Sequence, residues 1–282
     1  MNAQTHAVRV GLGRGWTEWL KSIRSAQDIT FYVVVTGVAL GYLFLLRGDT
    51  VGDSDVPAVV FSLPGVLAGL IVFGAYMGPV FTLATEKEDG TMLRAKALPH
   101  GMVGYVTGQA VFQFLGVLPM IVLLLAPALV FLDVALSLAG AAAVAWVVLL
   151  GLLAVLPIGL AVGALVPSVR KAGTWGMLPV GALSAISGIF FPLQALWGWV
   201  QVVAQVFPMY WMGLGLRSAF LPESAAALEL TGSWRTTETV LVLGAWAVVG
   251  LVLAPVVLRR MASKQSGSAV EAARHNAMQV VR

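Results

Sequence analysis

The chain has 282 residues, of which 59% are apolar and 11% charged, with a formal net charge of +4, a pI near 9.6 and a mean hydropathy of +0.90. Soluble domains carry about a quarter charged residues, so an ordinary soluble protein is excluded; the absence of cysteine excludes disulfides and thiolate metal centres. The three histidines, His6, His100 and His275, lie too far apart in sequence to suggest a metal site.

The first 28 residues carry Arg9, Arg14, Lys21 and Arg24 but no apolar core, so no cleavable signal peptide is expected there. Gly11-Leu12-Gly13-Arg14-Gly15 has neither a preceding strand nor a closing lysine, and reads as a flexible lead-in rather than a phosphate loop. After it, Trp16, Trp19, Leu20 and Ile23 recur at i, i+3, i+4 and i+7, with Glu18, Lys21 and Arg24 off the stripe. That spacing predicts an amphipathic helix lying in the membrane interface, either as a simple anchor or also touching a partner.

Uncharged runs follow at 29–46, 56–85, 97–132, 134–169, 172–216 and 239–258. A bilayer core of about 30 Å takes about 20 apolar helical residues, and the runs lack the period-two alternation of a membrane β-barrel. Asp28, at the mouth of the first run, reads as a helix cap, and Arg47, Asp49, Asp53 and Asp55 as a solvated loop. The run 172–216 is long enough for two crossings. A seventh span, however, would put Arg259, Arg260 and Lys264 outside, so a span ending near Phe191 and Pro192 followed by a re-entrant hairpin is preferred. Trp197, Trp199, Tyr210 and Trp211 bracket that hairpin as interfacial aromatics.

Six spans with both termini inside place 14 of the 17 basic residues on the inner side and leave Arg47, Arg217 and Arg235 outside. This is the positive-inside pattern. The basic pI therefore reports orientation in a membrane, and no nucleic-acid partner is expected. The organisation is then a cytoplasmic N-terminus with an interfacial helix over 1–28, a six-span all-α domain over 29–258, and a basic cytoplasmic tail over 259–282. Twelve arginines against five lysines, with abundant Ala, Val, Gly and Leu, suggest a GC-rich bacterial genome and hence a bacterial plasma membrane.

Charge is concentrated at one turn: Glu86 to Lys96 holds six of the chain's thirty charges. Gly90 suits a left-handed helix stop, and Thr91 suits the cap of a short new helix limited by Pro99. On that helix Leu93 and Ala97 share a face, with Leu98 beside it and Arg94 and Lys96 around it, an arrangement that suits a groove on a soluble partner. Glu86 and Glu88 are expected to pair with that partner or with the N-terminal helix. The alternative is an ordinary solvated turn. Gln109 and Gln113, four apart in the third run, either bond to a neighbouring helix or line a cargo path; Gln194, Gln201 and Gln205 in the hairpin carry the same two readings. No ionisable residue lies deep in a span, which speaks against a proton-coupled carrier.

The segment Glu86-Lys87-Glu88-Asp89-Gly90-Thr91, followed by Ala97-Leu98-Pro99, resembles the cytoplasmic turn of ABC-2 type transporter permeases, which reads Glu-x-Glu-x-Gly-Thr, a short helix, then Pro. A second stretch, Ser187-Gly188-Ile189-Phe190-Phe191-Pro192-Leu193 through Trp199 and on to Phe207-Pro208-Met209-Tyr210, resembles that family's break after the fifth span and its re-entrant hairpin. Trp197 departs from the pattern, since many relatives carry a proline there. The resemblance implies a non-enzymatic permease subunit of an ATP-driven exporter. ATP and Mg would then bind a separate cassette ATPase subunit, and a second permease copy, identical or paralogous, would complete the pair in the lipid bilayer. No cofactor is expected in this chain. An apolar path between two permeases implies amphiphilic cargo, such as a drug, antibiotic, peptide or lipid, with polysaccharide as the family's other cargo. A secondary carrier or other polytopic protein without a cassette ATPase is the alternative class.

Overall fold

A computed structural model describes residues 3–52, 54–91, 100–132 and 134–264. Nine α-helices and two short 3-10 turns make up the regular structure of these residues, with one isolated bridge between Thr50 and Pro57 and no strand. In chain order the helices are α1 (Ala3–Ser22), α2 (Ala26–Leu45), α3 (Ala58–Glu88), α4 (Gly101–Phe131), α5 (Leu138–Leu165), α6 (Val169–Ile186), α7 (Gly198–Val206), α8 (Pro208–Phe220) and α9 (Thr236–Lys264).

Five of these are long and apolar enough to cross a membrane: α2, α3, α4, α5 and the Thr236–Ala254 part of α9. The expected fifth crossing, α6, falls short in composition and is short for a span. Its 18 residues span about 27 Å, and it begins Val169-Arg170-Lys171 and continues through Gly, Thr and Pro. Length and composition thus yield five crossing helices and one shorter, more polar sixth, rather than six equivalent spans.

Burial separates an interior pair from a periphery. In the most apolar windows of α3 and α5, 72% and 67% of residues are buried, against 17% in α2 and 28% in α4 and in α9. The peripheral helices turn large apolar side chains outward, among them Val38 and Leu45 on α2, Val130 on α4 and Leu241 on α9. A lipid-facing surface has this character. The interior helices approach through small residues, as membrane helices do. A side chain at Gly159 or Gly163 of α5 would meet the carbonyls of Tyr76 and Pro79 on α3 at 2.6 and 2.9 Å.

One end of the bundle carries α1, the end of α3, the start of α4 and the α5–α6 junction; we call it proximal. The distal end carries the α2–α3 connection and everything between α6 and α9. There α6 stops at Ile186 with Ser187 as its C-cap, and Gly188 takes φ +67°, a left-handed conformation that glycine adopts without steric cost. The helix therefore ends five residues before the expected Phe191–Pro192 stop. Positive φ at Gly188 turns the chain so that Ile189 enters the core, fully buried, with its backbone carbonyl against the Cα of Gly65 on α3.

After Pro192 come a 3-10 turn (Leu193–Ala195), α7 and α8. At about 14 and 20 Å, neither helix alone spans a bilayer core of about 30 Å. Pro208 sits in the first turn of α8, where its missing N–H costs nothing. Trp197 and Trp199 are exposed and stacked, centroids 6.3 Å apart. Tyr210 and Trp211, expected at an interface, are instead buried. They lie on α8, which packs against α3, α5 and α9, and Trp211 spends its ring N–H on the Gln205 carbonyl, 2.7 Å away. The hairpin glutamines brace this excursion: Gln201 donates to the Leu196 carbonyl at 2.8 Å, and Gln205 accepts from Arg235 at 2.7 Å.

A buried ion pair locks the distal end. Arg217, on α8, approaches Glu229 with Nε to Oε1 at 2.6 Å, and both side chains are essentially without solvent exposure. Arg217 also donates through Nη1 to the Gly188 carbonyl at 2.9 Å and lies 4.9 Å over the Phe61 ring of α3. Gln194 donates to the Glu229 carbonyl at 2.6 Å. One guanidinium thus ties α8, the end of α6, α3 and the loop before α9 together. Removing one partner of such a pair leaves a buried charge and costs about 3–5 kcal/mol, whereas replacing both by apolar groups is often tolerated. Glu229→Ala is expected to lower the thermal unfolding midpoint of the detergent-purified chain sharply, and Arg217→Met with Glu229→Leu to restore most of the loss. Unfolding of Glu229→Ala at the wild-type temperature would show that the pair does not hold this end.

Candidate functional site at the proximal end

The last turn of α3 presents Glu86, Lys87 and Glu88, and each reaches a different neighbour. Successive helical side chains point about 100° apart, so three charged residues in a row address three directions.

Glu86 faces α1 and α4. Its Oε1 accepts from Arg14 Nη2 at 3.0 Å, while Arg14 Nε donates to Glu18 at 2.7 Å, and the Arg14 guanidinium lies 5.2 Å over the Tyr105 ring of α4. Lys87 faces the end of α5, donating through Nζ to the carbonyls of Ala164 at 2.8 Å and Val166 at 2.6 Å. These belong to the last turn and C-cap of α5, which lack intrahelical partners, and a cation there also matches the helix dipole. Glu88 faces the start of α6, accepting from the Val169 N–H at 2.9 Å. A carboxylate at a helix N-terminus satisfies an orphan donor and again matches the dipole. Ser168, the N-cap of α6, takes the Lys171 N–H. α3 therefore supplies a cap to each side of the α5–α6 junction and a charge partner to α1.

Beyond Glu88 the chain turns sharply. Asp89 is the C-cap of α3 and accepts from the Thr91 N–H at 2.8 Å. Gly90 has φ +78°, the left-handed stop expected from sequence. Leu93, Arg94, Ala97 and Leu98 lie outside the described residues. Of the residues expected to meet a soluble partner, Glu86 and Glu88 are engaged inside the chain; Glu86 meets the N-terminal helix, one of the two partners foreseen for it.

The N-terminal helix departs most from expectation. Gly11 to Gly15, expected to be a flexible lead-in, lies within α1 and forms its tightest contact. A Cβ on Gly11 or Gly15 would run into the backbone carbonyls of Gly104 and Gly108 on α4, and one on Gly104 would come within 2.9 Å of the Ala7 carbonyl. This close crossing of small residues spaced by four on both helices sets the buried face of α1 as Ala7, Gly11, Gly15 and Ser22. Trp16 is half exposed, and Trp19, Leu20 and Ile23 only partly covered, so the stripe expected in the membrane interface lies apart from this packing face.

Two adjoining cavities open beside this cluster. One, of about 350 Å³, is bordered by Glu18, Lys21, Asp28, Glu86 and Gln109; the other, of about 480 Å³, lies between α2, α3 and α4 and includes Gln113. Ser22, Asp28, Thr82 and Phe112 border both. Asp28, expected to cap α2, does not: Ser25 is the N-cap and takes the Asp28 N–H on its hydroxyl. Gln109 and Gln113 are buried, and the Nε2 of each is without a hydrogen-bond partner. A third, wholly apolar cavity of about 380 Å³ lies between α3, α5, α6 and α9, with Trp175, Phe207 and Trp246 on its walls.

Lys87, Arg14, Tyr105, Arg217 and Glu229 were not singled out by sequence reasoning. Lys87 bonds to residues 77 and 79 positions away, and no local pattern announces a partner at that distance. Gly104 and Gly108 were visible as a Gly-x-x-x-Gly pair, the same spacing as Gly11 and Gly15, and that repeat was the signal available for the α1–α4 contact.

A charge-assisted hydrogen bond is worth about 1.5–3 kcal/mol, so Lys87→Met and Glu88→Ala should each free the α5–α6 junction. Hydrogen–deuterium exchange over residues 164–171 is expected to rise about tenfold or more in either variant, while exchange in the middle of α3 stays unchanged. Unchanged protection at the junction in both variants would show that it is held by packing alone.

A profile of the ABC-2 type transporter family matches residues 10–221, about three-quarters of the chain. A search of curated proteins gives no match.

Proposed function

The chain belongs to the ABC-2 type transporter family, and from that premise we propose that it is the membrane permease of an ATP-driven exporter, working as a pair with two separate cassette ATPase subunits in a bacterial plasma membrane. In this reading the proximal end faces the cytoplasm, as the distribution of lysine and arginine supports, and α6 is the fifth of six crossings. The excursion from Gly188 to Phe220 is then the re-entrant hairpin on the outer side. Its polar backbone at membrane depth is tolerable because α8 is covered by protein.

The observation that carries the proposal is the position of the charged cluster. The turn at Asp89–Gly90–Thr91 follows directly on three residues that bond α3 to α1, to the end of α5 and to the start of α6. A load applied by an ATPase subunit to the segment after Gly90 would reach all these helices through short, charge-assisted contacts. The role of residues 86 to 88 is therefore to transmit force within the permease. Docking falls to the segment from Thr91 to Leu98, with Leu93, Ala97 and Leu98 as its apolar face and Arg94 beside it. The chain lacks a Gly-x-x-x-x-Gly-Lys-Ser/Thr loop, which supports placing ATP and Mg on the partner. The apolar walls of the cavities support an amphiphilic cargo over polysaccharide.

The test is co-expression with the cassette ATPase subunit. Wild type should co-purify with it and confer cargo-stimulated ATP turnover. Leu93→Asp should lose co-purification, since a charge would enter an apolar docking groove, while the variant still inserts. Lys87→Met should still co-purify but export more slowly per ATP, because docking is intact and the force path is weakened. A single cysteine at Ser266 should label from the cytoplasm and one at Ser54 from outside. Wild-type export by both Leu93→Asp and Lys87→Met would defeat the coupling assignment, and external labelling at Ser266 the orientation.

A further inference from the structure

We propose that the paired cavities beneath α1 form a binding site for a lipophilic organic cation, with Asp28 as the counter-ion and Gln113 as the buried polar contact. The site rests on the permease reading only for its role as a cargo site; binding itself is a property of this chain.

The outer cavity is bordered by three carboxylates, Glu18, Asp28 and Glu86. Glu18 and Glu86 share Arg14, and Lys21, the one cation on the cavity wall among the described residues, is exposed. Asp28 makes no ion pair or side-chain hydrogen bond among the described residues, and it stands where the two cavities meet. A half-buried carboxylate next to an apolar chamber attracts a cation and repels an anionic amphiphile. A neutral ligand would leave it uncompensated as water is displaced.

Gln113 is 7% exposed and Gln109 2% exposed, each with an unpartnered Nε2 and each on a wall of these cavities. Gly78 makes room for Gln113: a Cβ there would lie 2.8 Å from its Oε1. A buried polar group without a partner costs about 1–3 kcal/mol, so a position that keeps two such amides beside an open chamber suits a ligand with polar atoms along its apolar body.

Phe31, Tyr32, Phe73, Phe81 and Phe112 surround the inner chamber, and aromatic faces attract organic cations. Its volume of about 480 Å³ lies in the range of small-molecule sites, about 300–1,000 Å³. A small inorganic cation would gain nothing from such walls. The chemistry shared by an ammonium-bearing lipid and a soluble cationic amphiphile fits, and competition tells the two sources apart.

The experiment is equilibrium fluorescence binding to the full chain in dodecyl maltoside, using Nile blue, a cationic phenoxazine dye, and Nile red, its neutral counterpart. Wild type should bind Nile blue saturably. Asp28→Asn should weaken Nile blue by at least about tenfold, as loss of a desolvated charge partner does, and leave Nile red within about twofold. Gln113→Leu should weaken both dyes. Asp28→Glu, which keeps the charge, should retain Nile blue and guards against a folding defect in Asp28→Asn. Displacement by phosphatidylethanolamine would identify a membrane lipid as the source, and displacement by dodecylammonium alone a soluble amphiphile. Equal Nile blue affinity in wild type and Asp28→Asn, loss of binding in Asp28→Glu, non-saturable binding, or displacement by dodecyl sulfate in place of the cations would each overturn the inference. Since no ATPase subunit is present, failure here leaves the permease reading standing, and failure of co-purification leaves this site standing.

Discussion

Helix ends are the difficulty that this structure has to solve. Each α-helix leaves four N–H groups and four carbonyls without intrahelical partners, and the α5–α6 junction brings a C-terminus and an N-terminus together within four residues. Lys87 and Glu88 answer both, one donating to the end of α5 and the other accepting from the start of α6. α3 consequently has to reach the junction with a specific pair of residues in a specific rotational phase. The close packing of α3 against α5 through Gly159 and Gly163 holds that phase. A bulky residue at either glycine would push the helices apart and move Lys87 away from the carbonyls it serves.

The distal end repeats the solution with different chemistry. There the free groups belong to the break at Gly188 and to the loop that precedes α9, and Arg217 takes the Gly188 carbonyl and the Glu229 carboxylate together. Phe61 and Gly65, the α3 residues involved, lie in its first turns, while Glu86 to Glu88 lie in its last. α3 is therefore fastened at both ends, and Pro79 within it removes a backbone hydrogen bond between the two fastenings. A helix held at its ends and locally weakened between them can bend without losing either contact. In the proposed exporter this makes α3 the natural carrier of movement from one membrane face to the other.

Much of this was legible in the chain, for identifiable reasons. Uncharged runs as long as 56–85 and 134–169 announce long apolar helices because the bilayer sets their length, and α3 and α5 follow. Gly90 was legible because a left-handed stop after a charged helical end has few other solutions. What failed depended on tertiary partners. Gly11 to Gly15 read as a flexible lead-in, yet α1 packs on α4 through backbone-to-backbone contact that only Gly11 and Gly15 permit, on a face apart from the Trp16, Trp19, Leu20 and Ile23 stripe. Hydrophobicity cannot register a face whose virtue is having no side chain. Tyr210 and Trp211 were assigned to an interface by residue type, yet α8 is covered on all sides. Ser25 displaced Asp28 as the cap because the helix begins one residue after it, a boundary that an apolar run cannot fix. Arg217 ends a long uncharged run and was counted only among the outer-side basic residues. Only the fold brings Glu229 to it.

The two functions assigned to the proximal end share residues, and this has a physical consequence. Glu18 and Glu86 border the outer cavity and are also the carboxylates between which Arg14 is divided. A cation entering that cavity competes with Arg14 for the same negative charge, and Arg14 is what connects α1 to the end of α3. Binding at Asp28 would therefore loosen the α1 arm of the cluster while leaving the Lys87 and Glu88 arms, which face other sides of α3, untouched. A site placed across the bundle, such as the apolar cavity walled by Trp175 and Trp246, contains no charged group of the cluster and would lack this link. If both proposals hold, occupancy and mechanical connection would be coupled through one guanidinium, and the coupling would need no large rearrangement, only a change in how Arg14 divides itself between two carboxylates 68 residues apart in sequence.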